Sequence, residues 1–316
     1  MSRRNYQANY WLKADFTSLK QHGYKVIKEL GRGGYGIVYK VHQSNYVQAE
    51  HAHNKNHHWA IKINFNTISR DNICIEIAML SLMRNKDRLA LMKEIVVEKN
   101  IYYIVLEYFP CSSFIVLPSL LQSYFSDMGF TEIKHYLYEL LLGLKQLKEI
   151  GVYHRDIKPA NFLYNRQARR GIIVDFGLAE LDWKFVEKVD TTFKQYGSDI
   201  DEIDGEEYNR YMALKKAKEC YETIKDCLKS IGINKVGTES FVPLETIMEV
   251  KGQDYPSDMW PVGIILLQFI SKRYTVFSNL KIPMDQATTK TKSTYYISFI
   301  LELAIVFGED RVRKQL

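Results

Sequence analysis

Asp156, Asn161 and Asp175 fall at intervals of five and fourteen residues within YHRDIKPANFLYNRQARRGIIVDFGLAE, residues 153–180. Two carboxylates and an amide are hard oxygen donors of the kind Mg²⁺ prefers, and that ion keeps several waters, so few protein ligands suffice. Phosphoryl transfer suits such a set. It needs in-line positioning, charge neutralisation by metal and a group to accept a hydroxyl proton, and little covalent help. In this reading Asp156 takes the hydroxyl hydrogen and Asn161 offers a neutral oxygen to one Mg²⁺. Asp175 supplies charge to both metal ions, and Lys158 neutralises the group in transit. Gly177 lets the chain turn after Phe176, whose packing fixes Asp175.

Upstream, Gly31, Gly33 and Gly36 spell G-x-G-x-x-G. Dinucleotide-binding folds share this spacing, but there the glycines turn a strand into a helix. Here Ile37, Val38, Tyr39 and Val41 continue as strand. A glycine-rich hairpin can lie over a triphosphate and offer backbone N–H groups without side-chain clash. The whole segment Gly31, Arg32, Gly33, Gly34, Tyr35 and Gly36 is therefore a candidate nucleotide contact. Lys62 lies in the apolar strand WAIK, where a lysine is costly unless paired. Glu76, on the next predicted helix, is the partner expected for it.

Positioning these groups requires sheet first and helix later. Residues 24–41 alternate apolar and polar around the glycine cluster and predict strand, tight turn, strand. Further strands are expected at 59–65, 94–98 and 101–106, with a helix over 71–84 that carries Ile73, Ile77, Leu80 and Met83 on one face. From about 112 the periodicity turns helical. Residues 131–151 place Ile133, Tyr136, Leu137, Leu140, Leu141, Leu144 and Leu147 in a wide stripe, with Thr131 as cap and Gly151 as terminator. A second helix is expected at 206–231, entered through Glu206 and Glu207 and stopped at Gly232. A third covers 258–271, with Pro261 in its first turn. The sketch is an α+β chain of two lobes: a β-rich lobe over 1–108 with one main helix, and a larger helical lobe over 109–316. A ligand cleft belongs between them.

With 316 residues and 25% charged content, the chain is long enough for two packed lobes and too apolar for wholesale disorder. The formal charge of +6 is scattered and does not demand nucleic acid; the one dense cluster, RQARR at 166–170, reads as a solvated hairpin turn. No apolar run reaches membrane-spanning length, and the N-terminal residues lack the apolar core of a secretory signal. Cys74, Cys111, Cys220 and Cys227 form no Cys-x-x-Cys pair and read as reduced thiols. His51, His53, His57 and His58 read as a solvated loop, with no zinc expected.

The motifs together resemble the eukaryotic protein kinases in the right order over about 25–270. The resemblance implies that Gly31, Gly33 and Gly36 cover the phosphates of ATP and that Lys62 and Glu76 form the ion pair of the active state. It makes Asp156 the catalytic base, with Asn161 and Asp175 holding Mg²⁺. It also implies that Val38, Ala60 and Leu163 sandwich adenine, that Leu106 is the gatekeeper, and that Glu107 to Phe109 form the hinge. Lys158 points to Ser/Thr substrates. More narrowly, NFLYN, VDFGLA and GTESFVPLE (237–245) are similar to the cell-division-cycle-seven kinases, catalytic subunits that start DNA replication.

That likeness implies a Dbf-type regulatory subunit, MCM helicase subunits as substrates, a nuclear location and a preference for Ser/Thr followed by an acidic or phosphorylated residue. No membrane association and no direct nucleic-acid binding are expected. An activation-segment insert is expected over about 181–236, with the 206–231 helix as a docking element for the partner. Asp201, Glu202, Asp204, Glu206 and Glu207 are candidates to neutralise Arg155 in place of a phosphate. Ala-Pro-Glu reads Val-Pro-Leu-Glu here, and Arg311 or Arg313 is the candidate partner for Glu245. The chain stops at Leu316, where the family continues with further helices, so a fold truncated at the C-terminus is expected. Two alternatives stay open: an active kinase of another branch, such as a casein-kinase-like enzyme, and a kinase-shaped scaffold with weak or no catalysis.

Overall fold

The structure, a computed structural model, describes residues 16–44, 58–65, 67–111, 127–182, 184–188, 237–247 and 255–273, with isolated positions elsewhere. The expected 181–236 insert and 206–231 helix fall largely outside the described residues, as do His51, His53, His57, Cys220, Cys227, Arg311 and Arg313.

Five strands build the smaller lobe: β1 (Tyr24–Arg32), β2 (Gly36–Gln43), β3 (His58–Asn64), β4 (Met92–Glu98) and β5 (Ile101–Glu107). They pair antiparallel in the order β1-β2-β3-β5-β4. Between β1 and β2 the turn is closed by the Gly33 N–H donating to the Gly36 carbonyl at 3.0 Å. Register then sorts the side chains by parity. Val38 faces Lys62, Ala60 faces Leu106, and Lys62 faces Ile104, so these residues share one side of the sheet. The other side carries Val41, Trp59, Ile61, Tyr103 and Val105, packed with Tyr24 and with Leu19 of the short helix α1 (Thr17–Gln21).

Against the first side lies helix α2 (Arg70–Leu82), started by Ser69, whose hydroxyl accepts from the Asn72 N–H at 3.2 Å. The expected stripe is only part of its buried surface. Ile73, Leu80 and Met83 are buried, Ile77 is half-buried, and Ile75, Glu76, Met79 and Leu82 are buried too. The helix touches more than one layer, so its pattern is wider than a single stripe.

In the larger lobe, helix α3 (Phe130–Glu149) and strand pairs β6 (Val152–Tyr153) with β9 (Glu180–Leu181) and β7 (Phe162–Asn165) with β8 (Arg170–Ile173) surround Tyr136, Leu140, Leu144 and Leu147. Thr131 is not the cap. The helix begins one residue earlier, after an extended Gly129 that provides no side-chain bond. Gly151, at φ +69, ends it as expected. Leu141 is 40% exposed, and buried Glu139 takes a place in the stripe instead, ion-paired with Arg88 at 2.7 Å and accepting from the Gly171 N–H at 3.1 Å. The RQARR cluster does turn the β7–β8 hairpin; Arg166 pairs with Glu132, and Arg170 donates to the Asp87 carbonyl. After a four-residue helix, α4 (Leu244–Ile247), helix α5 (Pro256–Ser271) starts earlier than expected. Pro261 therefore sits in its second turn and leaves the Ser257 carbonyl without the usual N–H donor. Among the described residues, no helix is long and apolar enough to cross a membrane.

The register makes a specific demand on the first turn of β2. A Cβ on Gly36 would stand 2.3 Å from the Ile63 carbonyl oxygen, whereas one on Gly33 would meet nothing within 4 Å. Gly36→Ala is expected to lower stability by about 1–3 kcal/mol. Gly33→Ala should stay within about 0.5 kcal/mol of the parent. Chemical denaturation of the purified chain measures both; equal effects would contradict the β2–β3 register.

Candidate active site

Lys62 leaves the inner face of β3 with its side chain only 8% exposed. It bonds Glu76 Oε1 of α2 at 2.5 Å and Asp175 Oδ1 at 2.7 Å. Burial alone would drive this ammonium to shed its proton, but the two carboxylates outweigh burial and hold its pKa above the ordinary lysine value. The same contacts act on the acids. Burial pushes Glu76 up against the pull of Lys62, with Asp175 adding repulsion. Asp175 also feels burial, yet Lys62 dominates and holds it below the usual carboxylate range. The predicted Lys62–Glu76 pair is present, and Asp175 joins it.

Asp175 lies two residues past the end of β8, in a left-handed conformation at φ +68. Asp is a short polar residue that tolerates such a φ. The turn expected at Gly177 follows, closed by the Ala179 N–H donating to the Phe176 carbonyl at 3.1 Å. Phe176 is fully buried against the His154 ring at 5.1 Å, so the expected anchoring of Asp175 by its neighbour holds. The β7–β8 hairpin closes the fourteen-residue interval between Asn161 and Asp175. Phe162 pairs with Ile173, and the Val174 N–H donates to the Asn161 carbonyl at 2.9 Å.

Asp156 is 5% exposed and receives three bonds. Lys158 Nζ donates to Oδ2 at 2.6 Å, Asn161 Nδ2 donates to Oδ2 at 3.0 Å, and Thr238 Oγ1 donates to Oδ1 at 2.7 Å. Lys158 also donates to Thr238 Oγ1 at 2.7 Å. Asn161 spends its amide N–H groups on the carbonyl and side chain of Asp156, which leaves its Oδ1 as the oxygen to offer a cation. With the Asp175 carboxylate, 29% exposed, this is an all-oxygen donor set and fits a hard divalent ion.

The loop itself hangs on Asp258 of α5. Its carboxylate accepts from the His154 N–H at 2.7 Å and the Arg155 N–H at 2.8 Å. Burial pushes the Asp258 carboxyl up, while His154 and the two backbone donors oppose this. His154 Nδ1 accepts from the Asp156 N–H, so its Nε2–H donates to the Val174 carbonyl at 3.0 Å. Arg155 takes φ +66, and its guanidinium pairs with Glu180 on β9. Asp201, Glu202, Asp204, Glu206 and Glu207, the acids expected to neutralise Arg155, lie outside the described residues. Glu245 accepts from Ser257 Oγ at 2.9 Å, and the expected partners Arg311 and Arg313 lie outside the described residues.

The remaining predicted contacts are divided between the two lobes, Leu163 on β7 and the others on or beside the five-stranded sheet. Ala60 and Leu163 are buried, and Val38, Leu106, Glu107 and Phe109 are half-buried. The Glu107 N–H is spent on the Leu91 carbonyl at 2.8 Å. Gly31 and Tyr35 are half-buried in the glycine loop, Gly36 is buried, and Arg32, Gly33 and Gly34 are exposed. Burial, then the negative field of Asp156 and Asp175, holds the Tyr35 phenol above its ordinary pKa.

Sequence reasoning missed Thr238, Asp258 and Glu180 as parts of the site. For Asp258 a signal existed: an acid in an otherwise apolar helix needs a buried partner.

The sequence matches the family described as Protein kinase domain over residues 24–193, more than half of the chain. Cell cycle serine/threonine-protein kinase hsk1 of Schizosaccharomyces pombe is 25% identical over 317 residues, covering 93% of this chain and 57% of its own length. Cell cycle protein kinase spo4 of the same organism is 28% identical over 316 residues, covering 92% and 67%. Probable cell division control protein 7 homolog 2 of Encephalitozoon cuniculi is 25% identical over 292 residues, covering 92% and 72%. The chain thus spans between 57% and 72% of the length of these relatives.

If Asp258 holds the loop through two backbone N–H groups, Asp258→Asn should cost about 1–3 kcal/mol, because the amide turns a donor toward a donor. Urea denaturation monitored by tryptophan fluorescence reads this out. An unchanged midpoint would remove Asp258 from the account.

Proposed function

The chain belongs to the protein kinase family, and from that premise we propose that it is the catalytic subunit of a serine/threonine kinase of the cell-division-cycle-seven type. Its reaction is transfer of the γ-phosphoryl group of ATP to Ser or Thr hydroxyls of proteins. The observation that carries this reading is the convergence of Asp156, Lys158, Asn161 and Asp175 below the sheet, with Lys62 buried between Glu76 and Asp175. The branch is supported by the relatives' own names, which are those of cell-cycle and cell-division kinases. A scaffold without catalysis has no observation in its favour, since the charged set is complete and mutually paired.

The chemistry follows from the residues. The acceptor alcohol approaches Asp156, whose Oδ1 already accepts a hydroxyl hydrogen from Thr238 at 2.7 Å. Such a carboxylate orients the alcohol and takes its proton as the oxygen attacks phosphorus. Lys158 lies against the same carboxylate and is placed to neutralise the transferring group. Lys62, kept protonated, is placed to meet phosphate oxygens of ATP. Asp175 and Asn161 would hold Mg²⁺. When bound, that ion neutralises phosphate charge and fixes the triphosphate.

At the finer level we propose a Dbf-type regulatory subunit as partner, subunits of the MCM helicase as substrates, and action in the nucleus at entry into DNA replication. These assignments rest on the resemblance of the motifs. A pull-down from cells followed by a kinase assay, with and without the co-purified protein, tests them.

Two substitutions separate the proposed roles. Asp156→Asn should lower kcat by about 10²–10⁴-fold and leave ATP affinity nearly unchanged. Asp175→Asn should abolish transfer and weaken Mg²⁺-dependent ATP binding. Radiolabelled transfer assays and calorimetry check both. Equal loss of ATP affinity in the two variants would contradict the division of labour. A parent chain that neither binds ATP nor transfers phosphate, even with its partner, would end the kinase reading.

A further inference from the structure

Helix α3 has an outer face that the core does not use. Phe130, Lys134, Tyr138, Leu141, Lys145 and Lys148 recur at intervals of three or four residues, so they fall on one stripe of its surface. All are exposed, Phe130 by 76%, Tyr138 by 60% and Leu141 by 40%. Tyr136, Leu140, Leu144 and Leu147 bury another side of the same helix. Single exposed apolar residues are ordinary; three along one helical stripe form a patch of the kind that partners cover.

Charge says what kind of partner. The acids of this helix are each drawn to another part of the chain: Glu132 to Arg166, Glu139 to Arg88 and Glu149 to Lys86. The lysines of the stripe are not answered in this way. Among the described residues, no carboxylate pairs with Lys134, Lys145 or Lys148. Lys134 rests over the Phe130 ring and Lys148 over the Tyr255 ring, each at 5.4 Å from the centroid. An occupant must therefore bring apolar side chains to Phe130, Tyr138 and Leu141 and carboxylates to the lysines between them. Nucleic acid would answer the lysines and leave the apolar members against phosphate and sugar. A helix with its own apolar stripe between acidic flanks answers both, along a length of about 27 Å.

We propose that the outer face of α3 is a docking surface for an acidic amphipathic helix of a partner protein. Phe130, Tyr138 and Leu141 bury apolar surface against that helix, and Lys134 and Lys145 select its charge. The inference goes beyond the catalytic reading. The stripe supplies none of the bonds around Lys62 or Asp156, so it tethers a partner without entering the transfer chemistry.

The full chain is titrated into fluorescein-labelled synthetic helices of about 20 residues, long enough to cover the stripe. The first carries a leucine stripe with glutamate flanks. The second has lysine flanks, and the third keeps the glutamates but has serine for leucine. Fluorescence anisotropy should show the first bound about tenfold tighter, or more, than either of the others. Tyr138→Ser combined with Leu141→Ser should weaken it by about tenfold. Lys134→Glu combined with Lys145→Glu should reverse the preference toward the lysine-flanked helix, a change that a damaged fold would not produce. Failure of the parent to bind the first helix, equal binding of the first two, or a preference unmoved by the double lysine substitution overturns the inference. So does tighter binding of duplex DNA or of phosphatidylserine vesicles than of the first helix, or a parent dimer that the double lysine substitution dissociates. The measurement uses neither ATP nor a phosphate acceptor, so its failure leaves the kinase reading intact.

Discussion

An ammonium group has been drawn out of water on the inner face of β3, and its surroundings are arranged around that cost. Lys62 could be neutralised by losing its proton, yet Glu76 and Asp175 keep it charged. The two acids come from distant parts of the chain, one from α2 and one from the turn after β8. Their meeting therefore fixes three elements at once. Removing one member of a buried charge pair typically costs about 3–5 kcal/mol, because the survivor is left without a partner. The pair is weak evidence of net stability and strong evidence of specificity: sheet, helix and metal-facing acid have one arrangement in which all three charges are satisfied.

The same logic of obligatory partners runs through the catalytic loop. Left-handed backbone at Arg155 and Asp175 leaves polar groups that no ladder satisfies. Asp258 supplies acceptors for two backbone N–H groups, His154 bridges Asp156 and Val174, and Asn161 closes the loop onto Asp156. Each of these bonds is modest alone. Together they fix the direction of the Asp156 carboxylate before any substrate arrives, which is where preorganised electrostatics gain over solvent.

Much of this was readable in residue order, for reasons of range. Strand alternation is local, so β1 to β5 were expected within two or three residues of where they lie. Lys62 in an apolar strand announces a missing anion, and the nearest helix carried one. A hairpin explains how Asn161 and Asp175 meet. What escaped notice was long-range or borne by backbone. Thr238 is 82 residues from Asp156, and Asp258 is 104 from His154, whose bond is through an N–H that every residue has. Glu180 lies 25 residues from Arg155, with nothing local to single it out. Leu141 and Glu139 exchanged their expected places because a buried carboxylate with Arg88 and a backbone donor is satisfied, whatever helical periodicity suggests. The cap at Thr131 failed because Gly129 can take the extended entry without help.

Each described cation in the loop and cleft has its counter-ion encoded in the chain: Glu76 and Asp175 for Lys62, Glu180 for Arg155, and Asp156 for Lys158. Because Lys62 joins β3 to α2 and to the turn at Asp175, and Arg155 joins the loop to β9, the charges around the reacting groups also hold these elements in place.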